Sequence, residues 1–277
     1  MRTEETLIKS DLAADSHRGD TLEAYRTAVE RAIAYMKGHL TEPLDLDQLA
    51  RVAAISKYHL VRVFGEMTGI SPRYFLACLR IQRAKELLLA PGASVGDICL
   101  EVGYSSLGSF SNSFRDLVGV TPEAFRALPK KLTVKQFASA VWGYLASNRK
   151  IAGAALEGIV ENPSKSRGFI FVGTFTRGVP QGVPSSGTVM VKPGAFRIER
   201  PKLPEFYLMA VLIPFTANLS TMVATLPVGL VASLRLSNAN KAPSGKPRLR
   251  LRPLRATDPP ILLALPALPP WRGTFTK

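Results

Sequence analysis

One pattern occurs twice in this chain, about fifty residues apart, and it limits the fold more than any other feature. The first copy, Asp45 to Phe75, reads DLDQLARVAAISKYHLVRVFGEMTGISPRYF. The second, Ser94 to Phe125, reads SVGDICLEVGYSSLGSFSNSFRDLVGVTPEAF. Each holds a short helix with a capping residue, a turn of small residues, and a second helix ending at Thr68-Gly69 or Val118-Gly119. Ser71-Pro72 or Thr121-Pro122 follows. The pattern is a helix-turn-helix, and its repetition predicts an all-α region built from two equivalent units.

In the first copy Asp45, with Gln48 three residues on, forms a capping-box start. Leu46, Leu49, Ala50 and Ala53 share one face at i, i+3, i+4, i+7 spacing. Ala54-Ile55-Ser56 is the turn, and Ser56 caps the next helix. There Leu60, Val63, Phe64 and Met67 repeat the inward spacing. The outward row is Tyr58, Val61, Arg62 and Gly65. An Arg beside an aromatic and a small apolar residue on a free helix face suits the DNA major groove. Arg62 can bond guanine bidentately, and Tyr58 and Val61 can meet thymine methyls or phosphate. Lys57 and His59 flank the row and are expected on phosphates.

The second copy repeats the scaffold. Ser94 caps, with Asp97 three residues on; Val95, Ile98, Cys99 and Val102 face inward. Gly103-Tyr104-Ser105 is the turn, and Phe110, Phe114 and Leu117 face inward in the following helix. Its outward row is Gly108, Ser111, Asn112 and Arg115. Asn112 suits adenine, and Arg115 is assigned to phosphate. This row is smaller and less charged than the first, which predicts either a weaker reader or one that relies on shape and backbone contacts. Between the copies Ser71 caps a helix with Pro72 at its first position, ended by Pro91-Gly92. Ile81, Ala84, Leu87 and Leu88 form its core face. Such a helix fixes the separation of the two units.

The segment from about Ala32 to Arg126 resembles the DNA-binding domain of the AraC/XylS family of bacterial transcriptional regulators. The resemblance rests on Leu49-Ala50, Ser56, Leu60, Phe64, Thr68-Gly69, Arg80-Ile81, Ala84, Leu87-Leu88, Ile98, Val102-Gly103-Tyr104, Phe110, Phe114, Gly119, Thr121-Pro122 and Phe125-Arg126. It implies a seven-helix domain whose two helix-turn-helix units are joined by a linker helix. Tyr58, Val61 and Arg62 match the family's base-reading positions in the first unit. Leu107, Gly108, Ser111 and Asn112 match those of the second. Cys99 replaces the usual Ala and Tyr104 the usual Phe.

Composition narrows the remainder. The formal net charge is +15, and its location matters. Residues 1–131 hold 17 Lys and Arg against 16 Asp and Glu, while residues 132–277 hold 19 against 5. The surplus therefore lies outside the repeated units. A basic field attracts polyanions, but alternating Arg in Lys241–Arg255 also fits a solvated strand face, and that reading is preferred. Cys78 and Cys99 fall at apolar helical positions, as buried thiols. They supply neither a disulfide framework nor the four-cysteine zinc set of a DNA-repair alkyltransferase regulator. No metal or cofactor is expected. No apolar run reaches membrane-spanning length. The polar N-terminus is no secretory signal. A cytoplasmic protein is expected.

The chain is expected to be multidomain, an all-α double helix-turn-helix domain followed by a mainly-β sandwich. Residues 1–20 are expected to be a disordered lead-in, and a helix is predicted from Thr21 to about His39. The DNA-binding domain spans 21–131, a connecting helix or linker 132–154, and the β-sandwich-like domain 155–277. Short runs rich in Val, Ile and Phe predict strands at Gly158–Val160, Gly168–Phe175, Gly187–Val191, Ala195–Ile198, Phe206–Ile213 and Arg248–Arg252. Leu219–Leu234 is open between loop, strand and helix. The apolar tail Pro259–Pro266 is expected to pack on the domain. The segment Gly194–Ala210 resembles a carboxypeptidase-regulatory-like β-sandwich pattern, with Glu205-Phe206 where that pattern has Gly before its Tyr. It implies a non-enzymatic sensor, dimerisation surface or scaffold.

Catalysis finds little support. His17, His39 and His59 all precede the second half, which has no Cys and five carboxylates: Glu157, Glu161, Glu199, Glu205 and Asp258. Gly182–Gly187 lacks the Lys-Ser/Thr ending of a phosphate cradle. Core packing is the favoured role for Trp142, Tyr144, Phe175, Phe206, Tyr207 and Trp271. The expected partner is double-stranded DNA. For the second half, a small-molecule effector, homodimerisation and recruitment of RNA polymerase stay open.

Overall fold

The computed structural model describes residues 3–131, 151, 153–215, 229–238 and 245–263. The predicted connecting helix at 132–154 falls almost wholly outside the described residues, as do Trp142, Tyr144, Trp271 and Lys241. Helix α1 (Thr3–Gly38) opens the chain. The helix expected from Thr21 to about His39 lies within it, and its start is at Thr3. Thr3–Asp20 includes the helix formers Glu4, Glu5, Leu7, Lys9, Leu12, Ala13 and Ala14, and no proline occurs before Pro43 to break the helix. Its C-terminal half supplies Ala28, Val29, Ala32, Ile33 and Met36 to the helical core.

Helices α2 (Leu46–Ala53) and α3 (Lys57–Thr68) form the first helix pair. Asp45 Oδ1 accepts from Gln48 N at 2.6 Å while Gln48 Oε1 accepts from Asp45 N at 3.0 Å, closing the capping box. Ser56 Oγ accepts from His59 N and starts α3. Helix α4 (Pro72–Leu89) begins at the Ser71 cap. Helices α5 (Val95–Glu101) and α6 (Leu107–Val118) form the second pair, and α7 (Pro122–Lys131) follows. Ser94 and Asp97 make the second capping box. The expected inward faces are inward: Leu60, Val63 and Phe64 in α3, and Phe110, Phe114 and Leu117 in α6, are all buried.

The two turns differ in two details. In the first, Ala54 takes the left-handed conformation at φ 57°, and its N–H bonds Ala50 O and Arg51 O. In the second, Gly103 has φ +81°, and a Cβ there would lie 2.5 Å from Leu40 O, so this position requires glycine. Helix α6 is capped by Ser106, one residue past the predicted turn, so the second turn is one residue longer.

The second half is two sheets sharing a core. Strands β1 (Ala155–Glu161), β4 (Gly194–Glu199) and β7 (Arg248–Arg250) form a sheet ordered β4-β1-β7. Strands β2 (Gly168–Phe175), β3 (Ser186–Met190), β5 (Glu205–Pro214) and β6 (Leu230–Ser237) form the other, ordered β3-β2-β5-β6 and antiparallel throughout. Leu156, Val160, Phe196, Ile198 and Leu249 from the first sheet pack with Ile170, Val172, Phe206, Leu208 and Leu212 from the second. The C-terminal part of the ambiguous Leu219–Leu234 stretch is strand β6, paired to β5 from Leu230 onward. On β7 and the residue after it, Leu249 and Leu251 are buried while Arg248 and Arg250 are exposed. Alternating Arg is thus the solvent side of a strand.

The outer face of the larger sheet is also covered. Phe171, Phe175, Val189, Met209, Val211 and Ile213 pack with Ile261 and Leu263 of the tail, so the predicted packing of Pro259–Pro266 holds for its described part. Leu262 points the other way, into the helical core. The sheets and the helices therefore share an interface. Val179, in the loop between β2 and β3, is likewise buried in the helical core.

Candidate nucleic-acid interface

Helix α3 offers Tyr58, 81% exposed, and Val61, 40% exposed, on the face opposite its core contacts. Arg62 is exposed beside them. Its Nη1 donates to Glu66 Oε1 at 3.0 Å, and its Nη2 lies 3.4 Å from His59 Nε2. Both side chains of the Arg62–Glu66 pair are more than half exposed. Such a pair is worth about 0–1 kcal/mol. A bidentate Arg–guanine contact would supply about 1–3 kcal/mol of discrimination, more than the worth of this pair. Gly65, next in the row, would place a Cβ in open space.

The flanking residues separate. Lys57 is exposed, 3.4 Å from Asp47 Oδ1, with its ammonium 5.9 Å from the Tyr58 ring centre. His59 is half-buried against Tyr25 of α1, ring centres 4.7 Å apart. It is therefore partly occupied in holding α1 to α3.

On α6 Leu107 is 50% exposed and Gly108 faces open space. Asn112 and Arg115 are exposed, and Ser111 is half-buried. Arg115 Nη2 donates to Asn112 Oδ1 at 3.1 Å, so Arg115 orients the amide expected to read adenine. The second row is shorter than the first and partly engaged with itself.

A cleft of about 710 Å³ lies between the two helices. Val61 of α3 and Ser113 of α6 both line it, and Arg73, Ala77 and Arg80 of α4 form its floor. Arg80 is committed to structure: Nε donates to Leu40 O and Nη2 to Glu42 O, each at 2.8 Å, which closes the chain after α1. Burial lowers its pKa from the usual value. Arg73 is exposed and has no ion pair among the described residues. Sequence reasoning missed Arg73. Its signal was its place directly after the capping Ser71-Pro72, on the outward side of α4. Cys78 and Cys99 are buried free thiols as expected, and burial pushes Cys78 up to about 12. Among the described residues no cluster of His, Cys, Asp or Glu could hold a metal, and no helix is long and apolar enough to cross a membrane.

Residues 49–128 match a protein-family model described as "Helix-turn-helix domain". This segment is a helix-turn-helix DNA-binding domain. The chain is 32% identical over 96 residues to the HTH-type transcriptional regulator ArgR of Pseudomonas aeruginosa, covering 35% of this chain and 29% of that protein. It is 30% identical over 98 residues to the Right origin-binding protein of Escherichia coli, covering 35% of this chain and 34% of that protein. The chain thus spans about a third of the length of these curated relatives. Among solved structures, the DNA-binding domain of AdpA in complex with a target DNA is 29% identical, covering 37% of this chain and 93% of that one, with a TM-score of 0.36. An AraC-type regulator from Chromobacterium violaceum is 31% identical, covering 37% and 92%, also with a TM-score of 0.36.

Proposed function

We propose that this protein is a sequence-specific DNA-binding transcriptional regulator, not an enzyme, and that it reads DNA through two helix-turn-helix units. Helices α3 and α6 enter successive major grooves, whose spacing is about 34 Å. The observation that supports the reading is the repeated capped helix pair, α2–α3 and α5–α6, whose second helix in each case carries a largely exposed outward row. Arg73 on the cleft floor meets the phosphates between the two grooves. Tyr58, Val61 and Arg62 provide strong base readout. Leu107, Gly108, Ser111 and Asn112 form a weaker contact that Arg115 and the α6 backbone hold in place. Lys57 takes phosphate, and His59 shares that role with its packing on Tyr25. The second half regulates the first within the same molecule.

Footprinting of the purified full chain on the DNA upstream of its own gene tests the proposal. The expected result is protection of two stretches on one face of the duplex, centred about 10 base pairs apart. Uniform protection without sequence preference, or none, would reject it.

A further inference from the structure

We infer that the loop between β2 and β3 is a brace that fixes the spacing of the two DNA-reading helices. The inference rests on the two-unit reading above. Helices α3 and α6 each pack on α4, and Val61 of α3 and Ser113 of α6 line one cleft between them. One strut between two readers leaves them free to pivot about it. The loop supplies a second tie, and it reaches the C-terminal end of each reading helix.

The contacts are specific. Gly178 lies on Gly69, the residue that ends α3; a Cβ on Gly178 would sit 3.2 Å from Gly69 O. Four residues later Gly182 N donates to Leu117 O of α6 at 2.8 Å. Gly182 has φ +58°, and a Cβ there would lie 2.9 Å from Asp116 O, so only glycine lets the loop approach that helix end. Between these points Val179 is fully buried in the helical core. Gln181 Oε1 accepts from Tyr74 Oη on α4 at 2.6 Å, and the Arg177 guanidinium stacks 4.7 Å over the Tyr74 ring.

The loop is itself held from behind. Leu262 N donates to Pro180 O at 3.1 Å, and the fully buried Lys85 of α4 donates to Ile261 O at 3.4 Å. Four residues of extended chain reach at most about 14 Å, so the loop pins the two helix ends at a short, fixed distance. Tyr74 and Lys85 lie on a different side of α4 from Arg73, Ala77 and Arg80, so the brace leaves the DNA cleft open. Two linked binding modules gain affinity only when the link matches the span between their sites. The brace makes this chain selective for half-site spacing as well as for bases, and any event that moves the β2–β3 loop alters that selectivity.

The test uses the full chain with duplexes whose two half-sites are separated by the natural spacer or by a spacer one base pair longer or shorter. The wild type is expected to lose about tenfold or more in affinity on the altered spacers. Val179→Asp, which puts a charge into the helical core, should flatten that penalty to about twofold or less while single-half-site affinity holds. Gly182→Ala is the milder variant, guarding against loss of fold in the first, and should give a partial flattening. Circular dichroism establishes that each variant is folded. An unchanged spacer penalty in the folded Gly182→Ala protein would overturn the brace alone. Wild-type binding to one half-site only would overturn the two-unit reading and the brace with it.

Discussion

Lys85→Met should stabilise the protein at neutral pH and lose that advantage in alkali. The Lys85 side chain is fully buried where α4 meets the tail. Among the described residues its ammonium has one hydrogen bond, 3.4 Å to Ile261 O, and it lies 5.7 Å from the Phe125 ring centre. Burial lowers its pKa from the usual 10.5 to about 8, a fall that nearby Glu86 only partly opposes. The folded pKa lies below the unfolded one, so the unfolded chain binds more protons between about 8 and 10.5. Stability therefore rises with pH across that window, and the cost of the buried charge is full below about pH 8. The gap corresponds to a cost of about 3 kcal/mol at pH 7. Methionine keeps the length and most of the volume of the stem but leaves Ile261 O without its donor, a loss of about 1 kcal/mol. The net gain is about 2 kcal/mol at pH 7. At pH 10 most of the folded-state charge is gone in the wild type and the variant should gain nothing. Urea midpoints at pH 7 and pH 10, at matched slopes, measure both numbers. A destabilised Lys85→Met protein at pH 7, or an equal gain at both pH values, would refute the reasoning.

Arg62→Ala should cost about 1–3 kcal/mol of specific affinity and relax preference at one base position, read from competition among single-base variants of the site. Equal loss on every sequence would make Arg62 a phosphate contact instead. Gly103→Ala should destabilise by about 2–4 kcal/mol in denaturant titration, because φ +81° and the 2.5 Å approach of Leu40 O both oppose a side chain. Ala54→Gly, at the matching left-handed position with φ 57°, should be neutral or gain about 1 kcal/mol. Arg250→Gln should leave the salt dependence of DNA binding unchanged, since Arg250 lies on the exposed side of a strand outside the reading face. A shallower slope would place that strand on phosphate.

The helical part was legible because its signals are local. Capping boxes at Asp45 and Ser94, periodic apolar rows and helix-ending glycines each act within a turn or two of chain. The outward residues Tyr58, Val61 and Asn112 followed by subtraction from the inward rows. What escaped depends on distant segments. His59 looks free on its own helix, but Tyr25 of α1 covers part of it. Lys85 follows Ile81 and Ala84 on the core side of α4, yet a charged residue in an apolar stripe looks like a surface position until Ile261 is brought against it. The N-terminal extent of α1 was missed because polar sequence without an apolar stripe carries no periodic signal, although its residues favour helix. Strand β6 was ambiguous because Pro227 and Gly229 precede it, and only pairing with β5 decides the question. The role of Arg177–Gly182 is invisible in sequence, where the stretch is a plain turn; its partners Gly69, Tyr74 and Leu117 are far away in the chain.

Selection of bound duplexes from a random-sequence pool, followed by sequencing, tests the central claim most directly. The account predicts two blocks of preferred bases centred about 10 base pairs apart, the block under α3 sharper than the block under α6. Arg62→Ala should blur the sharper block alone. A single block, or enrichment without preferred bases, would contradict it.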